Sequence, residues 1–244
     1  MVLNKYRHLL PRFTDGPVNW LIKHNVSPNQ ISVYGFLITV IAAVTMAFPH
    51  IFLYNNFLAW FPGLMFFISG YFDVLDGAVA RKTGQVSKFG GFFDSTLDRL
   101  SDAIVILGLI YSNLIFPWND MINELIGFVA LMTILMISYT RSRAELEGVI
   151  MKGIGVMERA ERIFFILGMY IIEYWVWFFS KYVFYVEPVR YVFPILFGIF
   201  TLLCIQTLRK RVSWAYKWLE NKIPEEIKEE LKNPKPKVET FIEK

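Results

Sequence analysis

Between Asp73 and Asp98 the sequence reads DVLDGAVARKTGQVSKFGGFFDSTLD. Four carboxylates, Asp73, Asp76, Asp94 and Asp98, thereby fall in stretches that are otherwise apolar enough to lie in a membrane. A carboxylate at the centre of a span costs about 2.5–3.5 kcal/mol on the insertion scale, so four together need a compensating partner. On a helix Asp73 and Asp76 are three apart and Asp94 and Asp98 four apart, so each pair shares a face. No His or Cys accompanies them, and an all-oxygen set suits a hard cation, Mg2+ or Mn2+, better than Zn2+. Such an ion commonly fills its shell with phosphate oxygens, and a second ion fits the same chemistry in two-metal phosphoryl transfer. Gly77 lies one turn beyond Asp73 and Gly90 one turn before Asp94, which lets a ligand or a neighbouring helix approach the backbone.

The elements that must carry these residues are membrane helices. The chain of 244 residues is 55% hydrophobic and 17% aromatic, with a mean hydropathy of +0.42, too apolar for a soluble domain of this length. Spans of about 20 apolar residues are expected at Gln30–Phe48, Phe57–Val79, Phe89–Tyr111, Met121–Tyr139, Ile163–Phe179 and Val192–Leu208. The fold class is thus an all-α integral membrane protein of six transmembrane helices. Residues 1–29 form a juxtamembrane segment in which Leu3–Lys23 suits an amphipathic helix lying in the interface. Residues 30–208 form the membrane domain, and residues 209–244 a charged tail with Pro234 and Pro236. No cleavable leader is expected at Met1–Asn25, which is polar and mixed in charge.

Lys and Arg concentrate before the first span, after the second (Arg81, Lys82, Lys88), after the fourth and after the sixth. The opposite connections are poor in them: Pro49–Asn56 and Ser112–Asp120 have none. The positive-inside rule puts both termini in the cytoplasm, with the carboxylates at the cytoplasmic rim in a polar cavity open to that side. The connection after the fourth span is the second candidate site. It gathers Arg141, Arg143, Lys152, Arg159 and Arg162 with Gly148, Gly153 and Gly155, a composition suited to an anionic small molecule such as a phosphate. The histidines, His8, His24 and His50, are scattered, and the lone Cys204 is read as a small apolar helix residue.

The pattern D73-x2-D76-G77-x2-A80-R81-x8-G90-x3-D94-x3-D98 resembles, position for position, the signature of the CDP-alcohol phosphotransferase family. Residues 25–32, NVSPNQIS, are similar to the family's segment before its first membrane helix. The resemblance implies a six-helix membrane enzyme, usually a homodimer. It would move a substituted phosphate from a CDP-linked donor to an alcohol hydroxyl and release CMP. By the same resemblance Asp73, Asp76, Asp94 and Asp98 would hold one or two metal ions, with Asp98 as general base. Asn29, Asp73, Gly77, Ala80, Arg81 and Gly90 would bind CDP.

Ser138–Glu145 and Glu158–Arg162 further resemble the subgroup that makes phosphatidylinositol phosphate or its archaeal ether-lipid equivalent. That implies Arg141, Arg143, Arg159 and Arg162 as ligands of the acceptor phosphate, with inositol phosphate as acceptor and a CDP-linked lipid as donor. One position departs: the subgroup often has an arginine after Gln near the end of the sixth helix, where this chain has Gln206-Thr207. Within the family, glycerol phosphate or serine as acceptor, or CDP-inositol as donor, are the alternatives. Outside it stand a divalent-metal transporter, which leaves Arg81 and the glycine spacing unexplained, and an inert scaffold, which predicts a lost motif Asp. No nucleic-acid partner is expected.

Overall fold

The computed structural model describes residues 10–151, 153–187 and 191–220. Expectations that fall on residues 1–9, on Lys152 or on the tail beyond residue 220 lie outside the described residues. The described chain is helical, with no strand: α1 Leu10–Lys23, α2 Pro28–Met46, α3 Trp60–Thr83, α4 Lys88–Tyr111, α5 Asp120–Leu146, α6 Arg159–Tyr182 and α7 Val192–Leu219.

Local sequence fixes where the site-bearing helices begin and end. Extended Ser27 caps α2: its Oγ accepts from the Gln30 amide and its own amide donates to Gln30 Oε1 at 2.9 Å, with Pro28 at the first helical position. Helix α3 closes at Gly84 in the left-handed region (φ +69°), and α4 opens at Ser87, whose Oγ accepts from the Gly90 amide at 2.9 Å. The connection is short, yet α3 and α4 both pack on α2 rather than on each other. Their acid-bearing parts come together through Asp73, Asp76 and Asp94.

Six helices close into a ring. α3 packs on α2, α2 on α4, α4 on α5, α5 on α7, α7 on α6, and α6 back on α3. The α2–α4 crossing depends on Gly108, because a Cβ there would lie 2.5 Å from the Ala43 carbonyl oxygen. Ile106, Leu109, Ile134, Phe193, Phe197 and Phe200 fill the interior. The outward faces are apolar as well, with Leu37, Ile41, Val44, Leu125, Phe128 and Met132 all exposed. An apolar outside around a packed core is what lipid as solvent demands. Helix α1 lies outside the ring against α3. The Tyr71 hydroxyl donates to the Phe13 carbonyl at 2.9 Å, Val18 is buried, and Phe13 and Trp20 are exposed.

Among the described helices five are long and apolar enough to cross a membrane; α4, the remaining expected span, carries Asp94, Asp98, Arg99 and Asp102 in its first half. The boundary at residue 208 is no break, since α7 continues to Leu219 and Trp218 is buried against Ala144, Val149 and Met151. Likewise α5 runs past Tyr139 to Leu146. Hydropathy falls where the lipid ends, but the helical hydrogen bonding does not. The chain is a multi-pass membrane protein.

Candidate active site

The ends of α3, α5 and α7 and the beginnings of α4 and α6 meet at one end of the ring, and the polar site lies there. Asp73, Asp76 and Asp94 each place a carboxylate oxygen within 4.8 Å of the others. Asp76, buried, accepts a 2.6 Å hydrogen bond from Ser32 Oγ on α2, which fixes one of its oxygens. Asp98 is not in this group of three. It turns to Arg159 at the first position of α6, whose Nη1 lies 2.7 Å from Asp98 Oδ1 and 2.5 Å from Asp73 Oδ1. A guanidinium thus sits inside the acidic cluster, where sequence reasoning had placed Arg159 on the acceptor.

The donor set fits a hard divalent cation. It is all oxygen, close enough for carboxylates to share one ion, and four acids face one arginine, so negative charge remains in excess. A Cβ on Gly77 would meet the Arg81 guanidinium at 3.1 Å, so the exposed Arg81 folds back over that glycine. A Cβ on Gly90 would lie 3.5 Å from Asn29 Oδ1, which puts Asn29 beside the start of α4. Gly77, Ala80 and Arg81 follow Asp76 within about one turn on α3, and Gly90 precedes Asp94 by one turn on α4.

Beyond the acids lies a second cavity, of about 290 Å³, walled by Arg99, Arg141, Arg159, Arg162 and Arg211 with Asp98 and Asp102. Asp98 and Arg159 line both this space and the small acidic one, so they form the partition between them. Arg141 reaches the wall while paired with Glu145 at 2.9 Å. Arg162 is buried and donates to Asp102 at 2.6 Å. Arg143 does not line the cavity; it is exposed and pairs with Glu147 at 2.6 Å along its own helix. The loop glycines also serve a different end than anion binding. Gly148, Gly153 and Gly155 all have positive φ, and the neighbouring amides are used internally: Val156 and Met157 donate to Thr207 Oγ1, and Gly153 to Glu158 Oε1.

Three site residues were missed from sequence. Asp102 continues the Asp94–Asp98 stripe by one more turn, so its signal was present. Ser32 lay within the segment quoted for its resemblance but carried no role. Arg211, one turn after Thr207, had no signal apart from its charge.

Residues 25–195 match the family model described as CDP-alcohol phosphatidyltransferase. The chain belongs to that family. It is 43% identical over 141 residues to the archaetidylinositol phosphate synthase of Pyrococcus horikoshii, covering 58% of this chain and 67% of that one. To the synthase of the same name from Methanothermobacter thermautotrophicus it is 40% identical over 167 residues, 68% of this chain and 76% of the relative. The phosphatidylinositol phosphate synthase of Mycobacteroides abscessus is 31% identical over 162 residues, 66% of this chain and 70% of that protein. Among solved structures, the Mycobacterium tuberculosis phosphatidylinositol phosphate synthase in complex with manganese and citrate superposes with a TM-score of 0.66 at 26% identity, covering 83% of this chain and 88% of that one. The same protein with CDP-DAG bound gives 0.60 at 27% identity, covering 82% and 94%. The chain is accordingly a CDP-alcohol phosphotransferase, not a transporter or an inert scaffold.

Proposed function

We propose that this enzyme joins a CDP-linked lipid to inositol phosphate, releasing CMP. The observation that carries the reading is the partition: Asp98 and Arg159 stand between a three-carboxylate cluster and a cavity walled by arginines. One compartment suits the diphosphate of the donor and the other a phosphorylated acceptor. The names of the relatives, archaetidylinositol and phosphatidylinositol phosphate synthases, favour the same pair of substrates.

Asp73, Asp76 and Asp94 would hold Mg2+ or Mn2+, in one or two ions; when bound, the metal supplies positive charge to the diphosphate and to departing CMP. Asn29, Gly77, Ala80, Arg81 and Gly90 would cradle the nucleotide. Asp98 accepts the proton of the acceptor hydroxyl as that oxygen forms its bond to the lipid-bearing phosphorus. The bond from that phosphorus to CMP breaks in the same transfer, so the proton ends on Asp98 and the electron pair on CMP. Arg159, bonded to Asp73 and Asp98 together, holds the base at the edge of the acceptor space. Arg141, Arg159 and Arg162 would face the acceptor phosphate, and in this reading Arg143 drops out.

We further take α4 as the sixth span. It has 24 residues, its charged first half faces Arg159 and Arg162 inside the ring, and its second half, from Ala103, is apolar. The active site and both termini are read as cytoplasmic from the loop charges, and the homodimer rests on the family resemblance. The test is a matrix of purified protein with Mg2+, in which CDP-linked ether or ester lipid and CDP-inositol are each offered inositol phosphate, inositol, glycerol phosphate and serine. CMP release should be fastest with a CDP-lipid and inositol phosphate. Preference for glycerol phosphate or serine would reassign the acceptor.

A further inference from the structure

The cations around the acceptor cavity are not equivalent. Arg141 is balanced by Glu145, Arg159 by Asp73 and Asp98, and Arg162 by Asp102. Arg99 and Arg211 form no ion pair among the described residues. Arg99 is half-buried on α4, with Nη1 held by the Ser95 carbonyl of its own helix. Arg211 is only 2% exposed. Its Nε donates to the Ile154 carbonyl at 3.0 Å and its Nη1 to the Ile137 carbonyl at 2.7 Å. Glu145 and Glu158 also border the cavity, but neither forms an ion pair with Arg211, and Glu145 is taken by Arg141. Two neutral carbonyls fix the plane of the guanidinium and leave it without a contacting carboxylate. A buried cation that borders a cavity with no anion in contact is costly unless one comes to it.

We infer that Arg211 is a phosphate-binding arm of the acceptor pocket and the main source of its preference for a phosphomonoester over the free alcohol. The inference rests on the reading of this cavity as the acceptor site. It also accounts for the position where the sequence lacks an arginine. Thr207 is fully buried, its hydroxyl takes the Val156 and Met157 amides, and a Cβ on Gly155 would clash with its methyl group. No space exists there for a guanidinium. Residue 211 is one turn further on the same helix face, where α7 has passed beneath the loop and borders the cavity. Arg209 takes another direction, into an open groove with Gln206 and Lys210. The arm is therefore displaced by one turn.

The test compares wild type, Arg211→Gln and Arg211→Lys for acceptor KM, donor KM and inhibition by inorganic phosphate. Loss of a charge-assisted contact should raise the inositol phosphate KM of Arg211→Gln about tenfold to a hundredfold, and the phosphate Ki by a similar factor. The donor KM should stay within about twofold, and Arg211→Lys should recover part of the loss. An acceptor KM and phosphate Ki both within twofold of wild type would overturn the inference. So would a parallel rise of donor and acceptor KM with no rescue by lysine, the mark of a residue that only staples the loop to α5. If Arg211→Gln does not fold, Arg211→Met is judged in its place: a phosphate Ki within twofold of wild type rejects the arm. If wild type does not use inositol phosphate at all, the acceptor assignment fails separately. Calorimetric titration of inorganic phosphate into wild type and variant then still judges Arg211, by whether binding weakens at least tenfold.

Discussion

Replacing Asp98 with Asn separates its proposed role as base from the role of its neighbours as metal ligands. Asn keeps an amide oxygen able to accept from Arg159 Nη1, now 2.7 Å from the carboxylate, and Arg159 retains Asp73 at 2.5 Å. The partition should therefore stand, and Asp73, Asp76 and Asp94 should be undisturbed as a group. What disappears is the capacity to take a proton. A positioned general base contributes about 10²–10⁴ in rate, or about 2.7–5.4 kcal/mol of barrier at 1.36 kcal/mol per decade. In detergent or nanodiscs, kcat for CMP release should fall by that factor while donor affinity, measured by calorimetry with a CDP-lipid, changes less than threefold. A kcat loss below tenfold would refute the assignment of base. A donor affinity that fell in step with kcat would make Asp98 a metal ligand instead.

Other consequences follow from single contacts. Arg141→Ala should raise the acceptor KM about tenfold through loss of a charged contact, whereas Arg143→Ala, facing away with Glu147, should leave it within twofold; equal effects would contradict the placement. Asp102→Ala strips the partner from Arg162, whose side chain is 5% exposed. Breaking a buried pair costs about 3–5 kcal/mol, so the unfolding midpoint should drop clearly. Gly108→Ala forces a Cβ against the Ala43 carbonyl, and overpacking of this kind costs about 1–3 kcal/mol; stability should fall with no change in acceptor KM.

The acids were legible because chemistry and periodicity coincide there. Asp73, Asp76, Asp94 and Asp98 repeat at helical spacing, carry glycines one turn away, and have no reason to sit among apolar residues except a ligand. The spans they occupy were legible for the opposite reason, a continuous apolar background. Neither signal reports which way a long side chain turns. Arg159 follows Glu158 in a basic loop, and only the packing of α6 on α3 carries it into the acids. Arg143 looked equivalent to Arg141, yet two residues along a helix is about 200°, so one faces the cavity and the other faces away. Arg211 was hidden by the expectation of an arginine directly after Gln206. The obstruction at Thr207 is made by a loop some fifty residues distant in sequence, which no local pattern records. Helix ends were misjudged because Arg141–Glu145 and Arg143–Glu147 pairs extend α5 into water after its apolar run has stopped.

The most direct test of the central claim is product formation by the reconstituted wild-type protein, with CDP-linked lipid, inositol phosphate and Mg2+ all present. CMP should appear in equal amount to a lipid carrying inositol phosphate, and removing any one component should stop both. CMP release that is indifferent to inositol phosphate, or none with any CDP-lipid, would contradict it.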